Sequence, residues 1–284
     1  MKHITILNGK LKYSKRLLKD GVFIDLLSGF FPKVMKRGVC RNRGLDCRLC
    51  ELKEKCSYAY IFEPVLSGEK SLVVSLPDIK IPFAFKWNFG DRETDFSLCL
   101  FGRCINFTSD ILQTISEIGD MGLGRERFRY EMSDLSSADL NLDSTSSIDL
   151  KHIDIENLSS YDIADVKALS QNMSSLNLKI NLLSDFDLFR SNRQSKGDRV
   201  FQTFYRRIRD RLRALYEIYL NEDLPMEIKG LSEKSEDIIE RQTGENVFEF
   251  KGSIAAFRFA FLLGSYFNIG RRCAFGKGSY RIIL

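Results

Sequence analysis

Histidine is nearly absent from this chain: His3 and His152 are the only two among 284 residues. Proton transfer near neutral pH therefore has few imidazoles to draw on. Long apolar runs are absent as well. The longest, such as residues 254–263, is broken by Arg258 and is too short to span a bilayer. Residues 1–10 hold neither an apolar signal core nor a small-residue cleavage site, so a cytoplasmic protein with no membrane partner is expected. In that compartment seven cysteines do not make a disulfide framework. A hydrophobic content of 44% is ample for a packed core and argues against disorder.

Four of the cysteines are bunched as Cys40-x6-Cys47-x2-Cys50-x5-Cys56. Four thiols at this spacing, with one C-x-x-C knuckle, suit a tetrahedral metal site. The residues between them are mostly Arg, Lys, Asp and Glu, which cannot bury a core, so a bound metal would supply folding energy to the segment. A structural zinc is expected, with an iron–sulfur cluster as the alternative. No His, Asp or Glu replaces a cysteine in the cluster to leave an open catalytic position. Cys99, Cys104 and Cys273 sit in apolar stretches and read as small buried hydrophobes.

The net charge of +5 is unevenly spread: residues 1–130 carry +7, residues 131–187 carry −8 and residues 188–284 carry +6. Two basic blocks flanking an acidic one point to a polyanionic partner held by long-range attraction and counterion release. The end of the chain sharpens this. Gly270-Arg271-Arg272-Cys273-Ala274-Phe275-Gly276-Lys277-Gly278 is a glycine turn rich in cations, preceded by a helical apolar run at 254–267 and followed by a strand-like run at 279–284. Glycine permits tight backbone approach, and successive amides in such a turn form an anion-binding nest.

The same order occurs once before. A strand at 95–107 and a helix at 109–118 lead into Gly119-Asp-Met-Gly122-Leu-Gly124-Arg125-Glu-Arg127. This internal repetition predicts an α+β chain of two tandem ferredoxin-like (RRM-like) β-α-β-β-α-β domains. They are expected at 1–130, with the cysteine-rich loop at 40–56, and at 175–284, with the glycine loop at 270–278; an acidic Ser/Asp-rich segment at 131–174 would connect them. The stretch 83–89 reads as a strand with one solvated face. Further strands are expected at 3–7, 71–76 and from Leu176, and helices over 17–36 and 196–220, the latter with a basic face that includes Arg206, Arg207 and Arg211.

Three stretches give the chain a family likeness: the terminal glycine turn, the segment from Cys47 through Cys56 to Glu63, and the arginine-rich helix running from Tyr205 to Tyr216. On these the chain resembles the CRISPR repeat-processing endoribonucleases of the RAMP superfamily, in a cysteine-bearing branch. The resemblance implies that CRISPR repeat RNA, not DNA, lies in the groove between the two domains. It implies metal-independent cleavage, in which the ribose 2′-hydroxyl attacks the adjacent phosphate, leaves a 2′,3′-cyclic phosphate, and the crRNA product is retained. Gly270, Arg271, Arg272, Gly276, Lys277, Gly278, Arg206, Arg207, Arg125 and Arg127 are the expected RNA-binding residues. Relatives commonly use a histidine of the N-terminal domain, and this chain has none in its first helix or the loop after it. Tyr13, Lys33, Lys36 and Arg37 are the polar groups near that place, with Lys36 and Tyr13 the catalytic candidates. Catalysis is expected to need no cofactor. The alternative is a non-catalytic subunit that holds the crRNA handle within a CRISPR ribonucleoprotein, beside other effector subunits.

Overall fold

The computed structural model describes residues 2–14, 19–64, 77–149, 152–173, 177–184, 199–231, 235 and 237–283. The strand expected at 71–76 lies outside them, as do the expected starts of three elements at Leu17, Leu176 and Lys196.

The N-terminal half runs β1 (Ile4–Lys12), α1 (Asp20–Val39), α2 (Ser57–Phe62), β2 (Phe83–Phe89), β3 (Glu93–Phe101), α3 (Thr108–Met121), β4 (Glu131–Ala138) and β5 (Ser144–Ser147). Its sheet has the order β2-β3-β1-β4-β5, antiparallel throughout, with β6 (Ser160–Tyr161) pairing the start of β1. The first four of these strands, with α1 and α3 as crossovers, have the ferredoxin-like order. After α4 (Ile163–Gln171), the C-terminal half repeats the plan. It runs β7 (Leu178–Leu182), α5 (Val200–Leu215), a π turn (Tyr216–Leu220), α6 (Met226–Lys229), β8 (Ile239–Gly244), β9 (Val247–Lys251), α7 (Arg258–Phe267) and β10 (Tyr280–Ile283). The order β10-β7-β9-β8 is again antiparallel. The fold is therefore mixed α+β with two antiparallel sheets, as the sequence repetition predicts.

The apolar periods explain the elements. Ile111, Leu112, Ile115 and Ile118 make the buried stripe of α3, and Phe201, Phe204, Ile208, Leu212 and Leu215 that of α5. In β1, side chains alternate between two cores: Leu7 and Leu11 face the N-terminal one, while Ile4 and Ile6 join the C-terminal one. The exchange is mutual, because Ala274 and Phe275 of the C-terminal glycine turn belong to the N-terminal core.

Three expectations need correction. The stretch 131–174 is not simply a connector: β4, β5, β6 and α4 all lie within it. Its serines are short enough to sit inside the sheet, where Ser136 Oγ donates to Ser144 Oγ at 2.9 Å and Ser137 Oγ accepts from the Ser159 amide at 3.2 Å. Strand β2 has no solvated face over its first five residues, because the C-terminal half covers it and buries Lys86. Arg211, expected on the solvated basic face of its helix, is fully buried and donates to the main-chain oxygens of Phe267, Ile79 and Phe83. Among the described residues no helix is long and apolar enough to cross a membrane.

Candidate nucleic-acid interface

The chain leaves α7 through a series of left-handed residues, Asn268, Gly270, Arg272, Gly276 and Gly278, three of them glycine. Gly276 has φ of 113°, and a Cβ on it would lie 2.3 Å from Trp87 Cδ1, so only glycine lets the turn press onto β2. Trp87 Nε1 donates to Phe275 O at 2.8 Å, Asn268 Nδ2 donates to Phe85 O at 2.7 Å, and the Arg272 amide donates to Asp78 Oδ2 at 3.1 Å. The Phe275 ring lies 5.7 Å from both Phe31 and Phe83. Gly276 and Gly278 are thus buried and shape the turn, rather than lining a surface for phosphate. The expected amide nest is partly spent: the amides of Phe275, Gly276 and Lys277 donate to carbonyls within the turn.

The side chains carry the remaining charge. Arg271 is exposed, whereas Arg272 and Lys277 both pair with Asp25 on α1, Lys277 Nζ at 2.5 Å from its Oδ1. Burial pushes the Asp25 carboxyl up, but Lys277 and Arg272 outweigh it and hold the group below its ordinary range. The matching turn of the N-terminal half, after α3, closes through a bridge between Leu123 and Phe128 and exposes Arg125 and Arg127. A Cβ on Gly124 there would meet Leu26 Cδ1 at 2.9 Å. Two cationic glycine turns, one from each half, therefore bracket α1 at neighbouring residues, Asp25 and Leu26. Arg206 and Arg207 form a separate basic stretch on α5, Arg206 exposed and Arg207 half-buried, with Arg207 one turn before Arg211.

Beside this lies a cavity of about 610 Å³ bounded by both halves. Lys19 and Gly21 at the start of α1 line it, with Phe89 of β2, Ser184 after β7, Asn246 of the β8–β9 hairpin, and Lys277. Among the described residues no side chain caps α1 at Lys19, so the positive end of the helix dipole faces this region, with Asp20 of the first turn also at the cavity. Two lysines and a helix start suit a phosphodiester.

The two catalytic candidates are not part of this constellation. Tyr13 is buried; its hydroxyl donates to Gly90 O at 2.6 Å and shares a 3.0 Å bond with Thr94 Oγ1. Burial pushes its phenol up, and the ring pins the end of β1 to the β2–β3 hairpin. Lys36 is in the last turn of α1, its Nζ 5.1 Å from the centre of the Tyr58 ring. At 1.5 Å rise per residue it lies about 25 Å along the helix from Lys19. Lys33 is exposed beside it, and Arg37 pairs with Glu117. His3 gives its amide to Tyr161 O and its ring pKa is lowered, first by burial, while His152 is exposed.

Cys40, Cys47, Cys50 and Cys56 line a second cavity, of about 570 Å³, at the far end of α1. All are unbridged and half-buried. As placed, and among the described residues, no three His, Cys, Asp or Glu side chains converge closely enough to hold an ion. The isolated cysteines Cys99, Cys104 and Cys273 are fully buried, as their apolar surroundings predict. Asp25 and Lys86 give no periodic signal, each being a lone charge in an apolar run, and Arg211 is hidden among the other arginines of its helix.

The family described as the AF_1859_N N-terminal domain matches residues 25–152, a little under half of the chain. No curated protein matches by sequence. Among solved structures, a Cas6 product complex aligns over 100% of both chains with a TM-score of 0.55 and 12% identity. A partial Cas6-RT-Cas1–Cas2 complex aligns with all of this chain and 46% of its own longer one, at a TM-score of 0.53 and 13% identity. Thermus thermophilus Cas6 aligns over 100% of this chain and 99% of its own at 0.49 and 9%. The first two carry the conclusion about architecture: the chain has, over its whole length, the tandem ferredoxin-like fold seen in Cas6 proteins.

Proposed function

We propose that the chain is an endoribonuclease that processes CRISPR repeat RNA and keeps the crRNA product. The observation that carries the reading is the bracketing of α1 by two cationic glycine turns, one from each half, beside a cavity both halves bound. The full-length likeness to a Cas6 product complex supports it. Arg271, Arg125 and Arg127 hold the backbone, and Lys19 and Lys277 face the phosphate at the cavity. The ribose 2′-hydroxyl gives up its proton to water and attacks that phosphate, the bond from phosphorus to the 5′-oxygen breaks, the leaving oxygen takes a proton from water, and the two lysines with the start of α1 offset charge developing on the phosphoryl oxygens. The chemistry is assigned to this end of α1, rather than to Lys36 at the other end or to the buried Tyr13. By the likeness to the Cas6-RT-Cas1–Cas2 assembly, other Cas proteins are its proposed partners.

A second reading is a subunit that binds the repeat-derived handle without cutting it. It is favoured by one observation: among the described residues no histidine lines the cavity. Incubation of the full chain with end-labelled repeat RNA in EDTA separates the two. One discrete cut ending in a 2′,3′-cyclic phosphate, abolished by a single 2′-deoxy substitution and absent from an all-DNA copy, is expected. RNA that is bound but intact favours the second reading, and cleavage that needs magnesium overturns the proposed chemistry.

A further inference from the structure

The stretch between α1 and α2 has nothing apolar to hold it. From Arg41 to Lys55 no residue is buried, and its three leucines, Leu45, Leu49 and Leu52, are 43%, 73% and 43% exposed. Two single helical turns, Cys47–Leu49 and Lys53–Lys55, are its only regular structure. Burial of apolar surface therefore cannot order it, yet it connects two packed helices.

The cysteines occupy the four joints of this stretch. Cys40 closes α1, Cys47 opens the first turn, Cys50 closes that turn, and Cys56 closes the second turn and leads into α2. All four line one cavity. A divalent ion bound by four thiolates would carry a net charge of about −2; Arg41, Arg43, Lys53 and Lys55 line the same cavity to offset it, while Arg37 there is paired with Glu117 and Asp110 opposes them. Asn42 Nδ2 lies 3.7 Å from Cys50 Sγ, oriented to donate to a thiolate. The thiols do not converge as placed. An ion would draw them in, because Cys47 and Cys50 flank one short turn while Cys40 and Cys56 sit at the two ends of the loop.

We propose that Cys40, Cys47, Cys50 and Cys56 form a tetrathiolate zinc site that staples the end of α1 to the start of α2. Binding replaces the four thiol protons with the ion and releases them to solvent. The inference does not depend on the RNA-processing reading and survives its failure.

The test uses the full chain, purified without added metal, and elemental analysis. One zinc per chain is expected, released when a mercurial reagent titrates four thiols. Cobalt in its place should give the thiolate-to-metal charge-transfer and tetrahedral d–d bands of a sulfur-ligated site. Removing the metal should raise tryptic cleavage within residues 41–55 while the sheets stay resistant. The C47S/C50S variant should lose the zinc and show the same cleavage. Should that variant fail to fold, mercurial release and the proteolysis pattern of the unmodified chain decide alone. Absence of metal, a brown iron–sulfur chromophore, or zinc that survives blocking of all four thiols overturns the proposal.

Discussion

Lys86 shows what one charge in the wrong surroundings does. It lies in β2 between Phe85 and Trp87, fully enclosed, and its Nζ donates to Tyr280 O at 3.1 Å. Burial pushes its pKa down to about 8. In the unfolded chain the group titrates near its ordinary 10.5. Below about pH 8 both states carry the proton, and the folded state bears the cost of the buried ammonium. Between about 8 and 10.5 the folded state has released a proton that the unfolded state still holds, so stability rises with pH by something of the order of 3 kcal/mol. K86M removes the charge and keeps the stem. Its unfolding free energy, from urea denaturation at pH 7, should exceed that of the natural protein by about 1–3 kcal/mol, and the difference should shrink as pH is raised to 10.5. A constant difference across that range would show that Lys86 stays charged.

Among the elements, the glycine turn at 270–278 was legible because glycine and cations between an apolar helix and a strand form a pattern that no regular element tolerates. Its destination was not legible. Nothing local to Arg272 or Lys277 reveals that Asp25, on a helix near the other end of the chain, would pair with both. Strand β8 was missed for the opposite reason: Ile239–Gly244 is almost entirely exposed, so it shows no alternation to read. The pairing at Asp25 leads to opposite expectations for two variants. R271A removes an exposed cation, and should weaken repeat-RNA binding whatever the sequence and reduce the salt slope of log Kd by about one. D25N removes the carboxylate that neutralises Arg272 and Lys277 and should steepen that slope. Titrations from low to moderate salt measure both, and equal slopes in all three proteins would remove the turn from the interface.

For the whole molecule, Arg211 joins the halves. One guanidinium donates to Phe267 at the end of α7 and to Ile79 and Phe83 of the N-terminal half. R211A leaves three buried carbonyls without donors and a void between the halves, a loss of about 3–5 kcal/mol by urea denaturation; a change under about 1 kcal/mol would mean the halves are held together elsewhere. The duplicated plan could be read from sequence since each half repeats its own local pattern. The interlock could not, because it rests on single residues far apart in the chain. That interlock bears on biosynthesis. Phe31, Phe83 and Trp87 wait for Phe275 and Ala274, which leave the ribosome long after them. Until then the nascent N-terminal half presents an open aromatic trench to solvent, a surface for chaperones to cover, and translation of the second glycine turn is the event that closes it.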